Sequence, residues 1–106
     1  MRSARATTSW EVQAAGLSTT ATPSGGVTPR RAAVKPIVEG LRRRFAVAAA
    51  EVDHLDQWQR AGVGVAAVAS TASHVEDVLD EVERFVWSRP DIEVLSMNRS
   101  WLDAEA

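Results

Sequence analysis

The chain has no cysteine among its 106 residues. Disulfides, thiolate metal sites and cysteine nucleophiles are therefore excluded. It also lacks any apolar run near the roughly 20 residues that a membrane-spanning helix requires. The N-terminus has no apolar signal-peptide core, so a cytoplasmic protein without membrane contact is expected. Aromatic residues make up only 6% of the chain, and the stretches that read as central strands contain none past Phe45 at the very start of one. That removes the platform on which RNA-recognition domains stack bases. Trp58 and Trp101 stand alone and read as packing or interface residues.

Phosphate loops are missing too. "AGVGVA" (Ala61 to Ala66) lacks the third glycine and the following helix of a dinucleotide loop, and "TPSGG" precedes a helix without the required lysine. No nucleophile elbow occurs. These absences predict a protein with no catalytic residues, no metal and no cofactor.

What remains is an ordinary globular composition, 45% hydrophobic and 25% charged, sufficient for one domain with a small core. The net charge of −2 is unevenly spread. Residues 1–44 hold eight basic and two acidic groups, +6, whereas residues 45–106 hold four basic and twelve acidic groups, −8. A basic surface set against an acidic remainder follows.

Residues 1–26 are rich in Ala, Ser, Thr and Gly, and "STTATPSGG" (Ser18 to Gly26) is a low-complexity tract. This segment is expected to be disordered or a product of a mistaken start. Only "SWEVQAAGL" alternates weakly, through Trp10, Val12 and Ala14, as a poor strand. Thr28 and Pro29 then suit the cap and first position of a helix. Val34, Ile37, Val38, Leu41 and Phe45 form its apolar stripe. Pro36 conflicts with a helix interior and implies a kink or a nearby start.

"FAVAAAEVD" (Phe45 to Asp53) and "RAGVGVAAVAS" (Arg60 to Ser70) read as a strand pair closed by "HLDQWQ". Ser73 and Glu76 fit a capping box. Behind them, Val75, Val78, Leu79, Val82, Phe85 and Val86 line one helix face. "SRPD" stops that helix, and Ile92 to Leu102 reads as a final strand. The order implies an α+β fold, the ferredoxin-like βαββαβ arrangement, with an antiparallel sheet and both helices on one face. Its first strand is expected to be weak or missing.

Such a sheet leaves one face uncovered, where alternation to polar residues is the rule. Here Val63, Val65 and Ala67 oppose only Gly62, Gly64 and Ala66, with no charge between Ala61 and Ala69. A flat face of this kind suits close packing. We therefore expect a homo-oligomer through the open sheet face, or cover from the N-terminal segment.

Two groups of residues are candidates for function. Glu51, Asp53, His54 and Asp56 could hold a metal or act as acid and base. However, strand alternation puts Glu51 and Asp53 on one face and His54 on the other. A hairpin end, whose Asp and His side chains bond free backbone groups, also explains them. Asp53, His54, Asp56, Trp58 and Arg60 remain candidates for a ligand site or interface near the central hairpin. The second group is Arg31, Lys35, Arg42, Arg43 and Arg44, a basic helix able to neutralise several phosphates. A solvated helix face explains these residues equally well.

The stretch "EVDHLDQWQRAGVGVA", supported by "LRRRF", "ERFV" and "RSWL", resembles the YlxP-like family of short bacterial proteins of unassigned function. The resemblance spans Val27 to Leu102 and makes 27–102 the folded domain, with 103–106 a tail. It implies a ferredoxin-like fold. Genes of the family tend to lie among those for translation initiation factors. The resemblance thus implies a non-enzymatic accessory factor that contacts RNA or a ribosomal subunit; an oligomeric small-ligand or regulatory module is the alternative. It supplies no catalytic residue or cofactor. The departure lies at the start, where the family's apolar first strand is absent and Gly26, Val27 and Thr28 occupy the matching positions.

Overall fold

The computed structural model describes residues 3–14, 29–53 and 60–102. Six elements follow in order: β1 (Ala4–Ala14), α1 (Pro29–Arg44), β2 (Ala48–Asp53), β3 (Arg60–Ala69), α2 (Ala72–Trp87) and β4 (Ile92–Leu102). The strands form one sheet in the order β2-β3-β1-β4, every neighbouring pair antiparallel. This is the ferredoxin-like βαββαβ arrangement. Both helices lie over the same sheet face and enclose the core.

The first strand corrects the expectation of a weak or missing one. β1 is 11 residues long and sits inside the sheet, paired with β3 on one side and β4 on the other. The folded unit therefore begins upstream of Val27, within the segment set aside as low complexity. The weak alternation seen at Trp10 and Val12 extends back to Ala6 and Thr8, and all four are buried. Arg5, Thr7, Ser9, Glu11 and Gln13 take the opposite face. Thr and Trp suit a pleated, half-buried surface, which lets this stretch pair despite its few large apolar groups.

On the covered face, Ala61, Val63, Val65 and Ala67 of β3 meet the stripes of the two helices. Val34, Ile37, Val38 and Leu41 come from α1; Val75, Leu79, Val82, Phe85 and Val86 come from α2. These are the positions that helical spacing selects. Truncating a fully buried member such as Leu41 or Leu79 to alanine costs about 2–5 kcal/mol. α1 runs through Pro36, which lies exposed on the side away from the core.

Two details of α2 and β2 differ from expectation. The N-cap of α2 is Thr71, not Ser73: its backbone is extended and its hydroxyl accepts from the His74 amide at 3.1 Å. Thr71 thereby satisfies one of the amides left open at a helix start. At the other end Ser88 donates from its hydroxyl to the Phe85 carbonyl at 2.7 Å. In β2 the register shifts between Glu51 and Asp53. Glu51 is paired with Val63 and Asp53 with Gly62, which makes Val52 a bulge. Simple alternation is therefore broken between the two acidic positions. A second bulge falls in β4, where Ser96 and Val94 face consecutive residues of β1.

Candidate functional site

The basic residues of α1 divide once they are placed on the helix. The apolar stripe fixes which side points inward, so Lys35, Arg42 and Arg43 are exposed on the outer surface. Lys35 and Arg42 are two helical turns apart and lie on the flank toward β2. Arg42 is also tied down: its Nε donates to the Ala49 carbonyl at 2.9 Å, joining α1 to the strand beneath. Arg44 turns the other way, with its guanidinium 5.1 Å from the centre of the Phe85 ring. Arg31 lies in α1, but its side chain is outside the described residues.

Between α1 and β2 is a cleft of about 380 Å³ lined by Val34, Lys35, Val38, Glu39, Arg42 and Glu51. Two cations and two carboxylates share it. Glu51 lines the cleft from β2 and Glu39 is exposed on α1 one turn from Lys35; both repel phosphate, and the helix is net positive on its outer rim because Lys35, Arg42 and Arg43 outnumber Glu39.

The hairpin candidates are only partly in view. His54, Asp56 and Trp58 lie outside the described residues, as does the Asp53 side chain. Arg60 is described. It is exposed at the start of β3 and pairs with Glu11 of β1, Nη1 to Oε2 at 3.3 Å. Among the described residues no group of three or more His, Asp or Glu side chains could hold a metal ion. No described helix is long and apolar enough to cross a membrane.

Sequence reasoning missed two charged clusters. Arg99 of β4 reaches α2, with Nη1 3.1 Å from Asp80 Oδ1 and Nη2 3.6 Å from Glu83 Oε1. Arg89 lies 4.7 Å over the Phe85 ring, which Arg44 also approaches. Neither cluster has a local signal: each joins residues on different elements. The remainder of α2 is acidic, with Glu76, Asp77 and Glu81 exposed. The two helices therefore present surfaces of opposite charge.

The sheet face away from the helices is covered by no described element, and among the described residues it carries no long side chain at its centre. Thr7 and Ser9 of β1 lie beside Ser96, Asn98 and Ser100 of β4 and Gly62, Gly64 and Ala66 of β3. Ala48 and Ala50 of β2 complete it. Val52 and Val68 are 55% and 62% exposed.

Comparison with known proteins places these residues in context. The family described as "Protein of unknown function (DUF503)" matches residues 27–99. The match takes in α1, β2, β3, α2 and most of β4, and leaves β1 outside. The "Uncharacterized protein YlxP" of Bacillus subtilis (strain 168) is 33% identical over 78 residues, covering 74% of this chain and 85% of that protein.

Proposed function

The chain belongs to the DUF503, or YlxP-like, family, and from that premise we propose that it is a non-enzymatic accessory protein that docks on structured RNA, such as that of a ribosomal subunit, through the outer rim of α1. The observation that carries this reading is the joint exposure of Lys35, Arg42 and Arg43 on one side of a helix whose neighbour is acidic. The polarised pair of helices supports a fixed approach, with α1 drawn toward phosphate and α2 held away. Contacts of this kind position a protein on the sugar-phosphate backbone and carry no base readout. That agrees with the absence of aromatic side chains from the centre of the open sheet face.

The test is binding of the full chain to ribosomal subunits and to a fluorescent RNA over a salt series. Three phosphate contacts give a log–log slope of about −2 to −3, at about −0.7 for each on single strands and about −0.9 for each on a duplex. Lys35→Glu with Arg43→Glu should lower affinity at least tenfold and flatten the slope, while Glu76→Gln should not weaken binding. Binding that is absent, or insensitive to salt, overturns the reading.

A further inference from the structure

We propose that the sheet face away from the two helices is a two-fold interface with a second copy of this chain. It does not depend on the RNA reading above.

The first support is area. At about 4.8 Å between strands and about 3.3 Å per residue, strands of 11, 6, 10 and 11 residues span roughly 600 Å². Two copies together then bury on the order of 1,200 Å², the lower end of the range for specific protein interfaces.

The second support is shape. Val52, at the bulge of β2, leans over β3 so closely that a Cβ on Gly64 would lie 3.0 Å from its Cγ1. Val52 forms a raised apolar knob between two hollows. One, of about 390 Å³, is floored by Thr7, Ser9, Ala50, Gly64 and Ala66. The other, of about 210 Å³, lies along Ser9, Glu11, Gly62, Ser96 and Asn98. A knob beside hollows of comparable scale suits a self-complementary contact, which a two-fold axis requires. The short side chains let two sheets approach to the about 10 Å spacing of a sandwich.

The third support is charge. One end of the face carries Arg5 beside Leu102 and Val68. The other end carries Glu11, Arg60, Gln13 and Glu93. Arg60 is paired with Glu11, and Gln13 donates to Glu93 at 2.6 Å. An axis running across the strands near Ser9 lays each strand over its own counterpart, reversed. The Arg5 end of each copy then lies over the acidic end of the other. No charged residue falls in the middle, where desolvation would be costly.

Sedimentation of the full chain at micromolar concentration tests this proposal. The wild type should sediment as a dimer. Ala66→Arg and Asn98→Arg should each shift it to monomer with the circular dichroism spectrum unchanged. Should either substitution impair folding, a thiol readout decides, because the chain has no native cysteine. Ser9→Cys should yield a covalent dimer with a short bis-maleimide, and Glu76→Cys, on the helical side, should not. A monomeric wild type overturns the proposal, whatever else covers the face. So does a dimer that both arginine variants leave intact, or one in which Glu76→Cys links and Ser9→Cys does not.

Discussion

Gly40 of α1 faces the tip of the Phe85 ring of α2 so closely that a Cβ there would lie 2.9 Å from Cζ. The ring has little freedom to yield. Phe45 meets it edge-on, with centroids 5.9 Å apart, and the guanidinium groups of Arg44 and Arg89 lie over it. Alanine is the better helix former by about 1 kcal/mol, but overpacking a held ring costs about 1–3 kcal/mol. Gly40→Ala should therefore destabilise the protein in urea denaturation. In a cycle with Phe85→Leu, the double variant should be more stable than the two single losses add up to. Additive losses would show that the contact does not matter.

Thr8 offers the opposite kind of change. It is 1% exposed, and among the described residues its Oγ1 has no hydrogen-bond partner. A buried hydroxyl without a partner keeps its desolvation cost and gains nothing in return. Thr8→Val keeps the branched shape and removes that group. The expected outcome is a gain of about 1 kcal/mol, read as a higher denaturation midpoint at unchanged slope. A loss of stability would show that the hydroxyl does find a partner in solution.

Arg99 links the edge strand to the acidic helix. Its side chain is 20% exposed and contacts both Asp80 and Glu83. Arg99→Met retains most of the apolar stem and removes the charge, leaving two carboxylates near each other. A loss of about 1 kcal/mol is expected at low ionic strength, and it should shrink as salt rises. A loss that salt does not change would assign the contribution of Arg99 to packing alone.

Much of the fold was readable where side-chain period and chain punctuation agreed. Val63, Val65 and Ala67 against Gly62, Gly64 and Ala66 marked both faces of β3, and Ile92 to Leu102 was read at its full extent. β1 was underestimated because Ala6 and Thr8 carry no burial signal of their own; the partners on either side hold them in place. The bulge at Val52 was invisible for a related reason: it is a property of backbone register, and it breaks the alternation between Glu51 and Asp53. For the basic candidates, helical spacing of the apolar stripe implied that they lie off the core-facing side. It could not foresee that Arg42 bonds the Ala49 carbonyl or that Arg44 settles against Phe85, since those partners belong to other elements.

The place of β1 also bears on how the chain assembles as it is made. Its residues are made before those of every other strand of the sheet, yet Arg5 is paired with Leu102 and Ala4 with Ala69. Neither flank of the strand can close until distant segments have been synthesised. Pairings this far apart in sequence are entropically costly and form slowly. During synthesis β1 must wait with its ladder groups unpaired, and the hairpin of β2 and β3 has only one finished edge to offer it. Final closure belongs to β4, the last strand of the sheet in chain order. Losing β4 would remove an edge strand and leave one flank of β1 without its ladder partner.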